Sequence, residues 1–225
     1  MTISHSLRLM LPVIHSSLTG HTVLSIVEWI VGSCVTAELL GYWLHRLLHC
    51  GTIRFLSRSH MKHHLVFYGP LQRQRSETYH DATDDSISLG NIGLEWLIPA
   101  GLLIAITIGV FHFLHVPWPY QVLSLGTILT WSFAMFSYLH DVMHVEGFWL
   151  TRNKWLKRWF LTARRLHDIH HRVLNDRGFM DKNFGIGFFW FDRLFGTLSV
   201  QQTPFNHRGY AIAREKLDYV EKPGD

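Results

Sequence analysis

The chain has 225 residues and 26.3 kDa, which by length is one domain. Hydrophobic residues make up 48%, charged residues 17% and aromatics 14%, against about 25% charged in an ordinary soluble domain. A mean hydropathy of +0.09 is too low for a transporter built wholly of spans and suits a membrane protein with a large polar part. Two cysteines, Cys34 and Cys50, exclude a disulfide framework and read as free thiols.

The Met1–Gly20 stretch has one basic residue, Arg8, is broken by Pro12 and shows no clear cleavage site, so it reads as a short interfacial helix and not as a signal peptide. Residues 22–44 form a mostly apolar run of 23, long enough to cross a hydrocarbon core of about 30 Å. Two acids lie in it, Glu28 and Glu38. At about 100° per residue Glu38 and His45 fall on one helix face, which should point away from lipid. Residues 45–91 are polar and rich in His and Arg. A second apolar run covers 92–114, and a turn around Pro117 leads into a third span over 118–139. Trp118 and Tyr120 fit an interfacial aromatic belt. Residues 140–225 are again polar, basic and aromatic. Within them Phe184–Leu198 is apolar but too short to span, and it reads as interfacial or as packed over a site.

Of the 21 Lys and Arg, six lie between residues 45 and 91, fourteen lie after residue 144, and none lies in the turn between the second and third spans. The positive-inside rule puts both His-rich regions in the cytoplasm. The basic pI of about 9.2 is then explained by anionic lipid headgroups, and nucleic acid is not needed as a partner. Arg152–Arg165, with Trp155, Trp159 and Phe160 interleaved, is expected to be a membrane-surface helix. The expected fold is all-α: an integral membrane bundle of three to four spans with a cytoplasmic helical cap.

Histidine carries the chemistry. His45-Arg-Leu-Leu-His49 and His60-Met-Lys-His63-His64 are echoed by His140-Asp-Val-Met-His144 and His167-Asp-Ile-His170-His171. The words HxxxH and HxxHH thus occur twice in one order and use ten of the 17 histidines. On a helix, residues four apart share a face, so HxxxH offers two imidazoles to one centre. HxxHH offers three from one face or its edge. Four such segments can surround two metal ions just outside the hydrocarbon. His5, His15, His21, His112, His115 and His207 read as surface or interfacial, and His80 is left outside the ligand set. Imidazole suits Zn, Cu, Fe and Ni. There is no HExxH base for hydrolytic zinc and there are no thiolate ligands, so two imidazole-held metals near a bilayer favour redox iron acting on a lipid.

The four motifs, with Asp181-Lys-Asn-Phe-Gly185 and the FFWFDRLFGT run ending at Thr197, resemble the fatty acid hydroxylase / sterol desaturase superfamily over roughly residues 35–200. That resemblance implies an integral membrane, non-haem di-iron enzyme that uses O2 to hydroxylate or desaturate a lipid. It also implies that His45, His49, His60, His63, His64, His140, His144, His167, His170 and His171 ligate two Fe ions. Beta-carotene hydroxylases share the His pattern, but their first and third motifs tend to have four intervening residues where this chain has three. No cytochrome b5 domain is recognisable, so electrons are expected from a separate carrier of cytochrome b5 or ferredoxin type. A bacterial inner membrane is expected in preference to the endoplasmic reticulum. Asp141, Asp168 and Glu38 are candidates to accept ring N–H bonds from the ligands, and Asn183 to hydrogen-bond near a metal-bound water. Two other classes stay open: a membrane Zn or Fe transporter or sensor, and a scaffold with a structural metal.

Overall fold

The computed structural model describes residues 20–51, 53–76, 88–89, 92–201 and 203–216. The interfacial helix expected at the N-terminus lies outside them except for Gly20, as do His5, His15 and His80. The described chain is helical apart from a two-residue antiparallel ladder that pairs β1 (Ser88–Leu89) with β2 (Ile92–Gly93). The helices are α1 (Gly20–Leu48), α2 (Arg54–Lys62), α3 (Leu94–Phe113), α4 (Trp118–Ser132), α5 (His140–Met143), α6 (Lys157–Arg172), α7 (Trp190–Leu194) and α8 (His207–Lys216). Two π-helical turns interrupt the regular geometry, His63–Phe67 after α2 and Phe133–Leu139 between α4 and α5. Each falls beside a histidine motif, and such turns re-aim the residues that follow.

Among the described residues two helical stretches are long and apolar enough to cross a bilayer, Val23–Leu48 and Trp118–Met143. Only 17% of the most apolar window in each is buried, whereas the core helix of a soluble protein would be mostly covered. A third apolar helical stretch, Leu97–Phe113, is shorter. The run expected as a span from residue 92 starts its helix two residues later, because Ile92 and Gly93 give their backbone to the ladder. The third expected span does run into His140, since α4, the π turn and α5 are continuous.

α1 and α4 pack side by side and in parallel. Trp29 stacks on Tyr120 with ring centroids 5.4 Å apart, the Ser33 and Ser124 hydroxyls are 2.8 Å apart, and the Trp131 indole donates to Glu38 Oε1 at 2.8 Å. The register then advances to Gly41, whose missing side chain leaves room for the Phe136 ring. A Cβ at 41 would overlap that ring. Gly41→Leu should therefore cost about 1–3 kcal/mol by overpacking, measured as a lower unfolding temperature in detergent; an unchanged transition would show that α1 and α4 separate freely.

At the C-terminal end of the Trp118–Met143 stretch and beyond it the chain builds two small cores. One joins Leu139, Val142, Met143, Leu150, Phe160, Ala163 and Ile186. The other joins Met61, Leu65, Leu174, Met180 and Ala213. The helix expected over Arg152–Arg165 differs in its start and in one buried face. The helix begins only at Lys157, and Phe160 is fully buried in the first core, while Trp155 stands 79% exposed. Its apolar side chains are divided between packing and surface.

Candidate metal centre

All ten motif histidines are buried, none more than 9% exposed. They fall into two groups of five: His45, His49, His60, His64 and His170, and His63, His140, His144, His167 and His171. Within each group the candidate ligand atoms lie within 4.8 Å of one another. The HxxxH pairs stay together as their spacing requires. The HxxHH triplets do not deliver all three rings to one centre. His60 and His64 serve the first group and His63 the second; His167 and His171 serve the second group and His170 the first. The reason is angular. At about 100° per residue, i and i+4 differ by about 40°, while i+3 lies about 100° from i+4. Each middle histidine therefore faces the neighbouring centre. The groups share a wall, where the His64 and His171 rings stack with centroids 3.9 Å apart.

Four rings are fixed by the backbone. His45 Nδ1 donates to the Phe184 carbonyl and His170 Nδ1 to the Lys182 carbonyl, both at 2.6 Å. His144 Nδ1 donates to the Arg73 carbonyl at 2.7 Å and His171 Nδ1 to the Tyr68 carbonyl at 2.8 Å. A carbonyl can only accept, so the proton sits on Nδ1 and the Nε2 lone pair faces the centre. Each group thus receives two anchors from one short segment: residues 182–184 for the first, residues 68–73 for the second.

The donor set fits a cation. His144 and His171 both aim Nε2 at His167 Nε2, at 3.0 and 3.1 Å. One proton on His167 can point along its bond at only one of them. His45 Nε2 is buried with no hydrogen-bond partner among the described residues. In the first group His49 Nε2 lies 2.9 Å from His60 Nε2 and 3.0 Å from His170 Nε2. Two nitrogens each about 2.1 Å from one ion are about 3.0 Å apart at right angles and about 3.4 Å apart at the tetrahedral angle. The spacing and the five donors suit a crowded coordination shell better than closed tetrahedral zinc. Burial, together with the neighbouring rings, holds His49, His60, His63, His64, His144, His167 and His171 well below the usual histidine range. For His170 burial dominates, and its pKa falls to about 4. Neutral imidazole is the form that binds metal.

The other predicted residues take different places. Asp141 meets a candidate ligand, with Oδ1 3.2 Å from His140 Nδ1. Glu38 is buried, but its carboxylate takes the Trp131 indole N–H in place of an imidazole. Asp168 accepts from the Gln74 side chain at 3.1 Å and pairs with Arg73 at 3.8 Å. It tethers the segment whose Arg73 carbonyl holds His144, and burial pushes its carboxyl up despite Arg73. Asn183 sits in the left-handed region at φ 57°. Its amide is committed to the backbone, donating to the Leu166 and Ser199 carbonyls and accepting the Ser199 N–H.

Some contributors were not foreseen. Arg164 donates to the Val142 and Val145 carbonyls, closing the end of the short helix that carries His140 and His144. Asp192 is fully buried and accepts the Phe184 and Gly185 N–H groups. Its signal in the sequence was an acid inside an apolar run. The Phe184 ring covers the first group, with centroids 5.5–5.8 Å from His45, His49 and His170. A cavity of about 540 Å³ opens elsewhere, between α1, α3 and α4, lined by Ser33, Thr36, Thr107 and Ser124 among others. It includes no residue of the Phe184–Leu198 run, whose Phe184 packs over the histidines as the sequence led one to expect.

A family model described as fatty acid hydroxylase matches residues 30–197. The chain belongs to the fatty acid hydroxylase family. The match takes in both imidazole groups, all four carbonyl anchors and Asp192, and it stops before α8. The chain matches no curated protein and no solved structure. Family membership implies an oxygenase-type enzyme associated with a membrane and acting on lipid, and the paired histidine groups fit the metal dependence of such enzymes.

Proposed function

We propose that the protein is an O2-dependent lipid hydroxylase or desaturase whose ten histidines hold two iron ions at one face of a membrane. The observation that carries this reading is the pair of five-imidazole groups formed at the ends of two parallel apolar helices. Parallel α1 and α4 need a returning crossing between them, and α3 supplies an apolar helix for it. Three crossings put both polar regions on one side, in line with the Lys and Arg count. Large apolar side chains exposed along these helices, including Val31, Leu102, Ile106, Val122 and Phe133, suit contact with lipid tails.

When bound, the iron pair would supply the redox chemistry that activates O2 and oxidises an unactivated C–H bond. The chain's own groups do the rest. The Phe184, Lys182, Arg73 and Tyr68 carbonyls fix four ring tautomers, so lone pairs face inward before metal arrives. The Phe184 ring and the core around Leu139, Met143 and Ile186 keep water from that side. Asp141, against His140, balances part of the positive charge. The lipid would approach from the bilayer beside α1 and α4. A separate electron carrier of cytochrome b5 or ferredoxin type would meet the basic cytoplasmic face, and a bacterial inner membrane is the proposed location.

The transporter reading is disfavoured by position, since transport sites sit near the bilayer midplane and these histidines gather at helix ends. Detergent-purified protein reconstituted with ferrous iron should hold two irons per chain and should oxidise a membrane lipid only with O2 and a reductant. One tightly bound zinc with no lipid oxidation would sink the proposal.

A further inference from the structure

Asp192 stands apart from the other acids. It is 0% exposed, and its carboxylate spends itself entirely on one loop. Oδ1 accepts the Phe184 N–H and the Thr197 hydroxyl, and Oδ2 accepts the Gly185 N–H, all at 2.7 Å. Its own carbonyl accepts the N–H groups of Thr197 and Leu198 at 2.8 and 3.0 Å. Asn183 closes the same loop, donating its N–H to the Thr197 carbonyl at 3.1 Å and its side-chain amide to Leu166 of α6 at 2.9 Å. The loop has no slack at Gly185, where a Cβ would run into the Phe188 carbonyl and come within 2.9 Å of Asp192 Oδ2.

What the loop presents is two carbonyls, those of Lys182 and Phe184. These hold His170 and His45, which belong to the same imidazole group. The second group takes its anchors from Arg73 and Tyr68. That segment is held by different bonds: Arg75 N–H to the His144 carbonyl at 2.9 Å, Glu146 N–H to the Arg75 carbonyl at 2.8 Å, and the Arg75 guanidinium to the Phe67 carbonyl. The buried carboxylate therefore reaches one half of the centre and not the other.

We infer that Asp192 is a positioning residue for the first metal position alone, acting through the Phe184 and Lys182 carbonyls on His45 and His170. This rests on the two-metal reading above. Asparagine at 192 would place an NH2 where Gly185 needs an acceptor, so one backbone N–H would lose its partner and the loop would shift. His45 and His170 would then lose the bonds that fix their tautomers. Partners one shell out from a metal are worth about 10–100-fold in affinity.

The test is anaerobic titration of the full detergent-purified chain with ferrous iron, with far-UV circular dichroism to verify the fold. The unsubstituted protein should bind two irons; if it does not, the two-metal reading fails whatever Asp192 does. Asp192→Asn should keep one site at its original affinity and weaken the other by about 10–100-fold. Thr197→Val, which removes one of the three bonds, should move the same site by less. Combination identifies the site. Asp192→Asn with His49→Ala should still bind one iron, whereas Asp192→Asn with His144→Ala should bind none tightly. Both sites keeping full affinity, or both weakening alike in Asp192→Asn, overturns the inference. Where Asp192→Asn fails to fold, Thr197→Val decides by the same split.

Discussion

His49→Ala with His170→Ala should leave one metal per chain, and His144→Ala with His170→Ala should leave none. Reading by motif gives the opposite result. His144 belongs to the third motif and His170 to the fourth, and both come from the second half of the chain, so that pair looks like one site. In the folded chain His170 crosses to the group of His45, His49, His60 and His64, and its Nε2 lies 3.0 Å from that of His49. Removing His49 and His170 therefore damages one site twice, while removing His144 and His170 damages both. Lipid oxidation should fall by more than about a hundredfold in either double variant, since losing a ligand exceeds the 10–100-fold cost of losing an outer partner. Activity cannot separate the two cases, but bound iron per chain can. Equal metal content in the two double variants would refute the crossed assignment.

The crossing was in reach of the sequence and was missed for a simple reason. The spacing of HxxHH gives the angles, but a flat reading treats three nearby imidazoles as one face. Only the 100° between i+3 and i+4 shows that the middle histidine looks elsewhere. The ten residues and the apolar helices were legible because they repeat and because periodicity is a local property. The anchors were not. A backbone carbonyl is present at every position, so nothing in the letters at Tyr68, Arg73, Lys182 or Phe184 marks them as acceptors for a ring. Glu38 and Asn183 show the reverse error. Each is a polar residue in a suggestive place, but tertiary packing gave Glu38 to an indole and Asn183 to the backbone. Asp192 was visible as an acid in an apolar run; its partners became visible only once residues 183–199 were folded into a loop.

The metal-free protein should lose stability steeply as pH falls below about 6.5, and metal should protect it. Eight cluster histidines beyond the apolar helices have pKa values lowered by burial: His49, His60, His63, His64, His144, His167, His170 and His171. In the unfolded chain each takes a proton near pH 6.5. In the folded chain it does not; His170, for instance, stays neutral down to about 4. The unfolded state thus binds more protons between those values, and folding stability falls as pH falls through that window. Each imidazole contributes up to about 1.4 kcal/mol per pH unit. With eight such groups moving in one direction, the loss is large against the whole stability of a typical domain, about 5–15 kcal/mol. Thermal unfolding of chelator-treated protein in detergent should therefore show a transition that drops sharply between pH 7.5 and 5.5 and vanishes near the lower end. Loading with ferrous iron should shift that collapse to lower pH, because the ion binds only the neutral rings and only the folded chain gathers them. A metal-free transition that stays level across this range would mean that these eight rings are not held neutral and buried together.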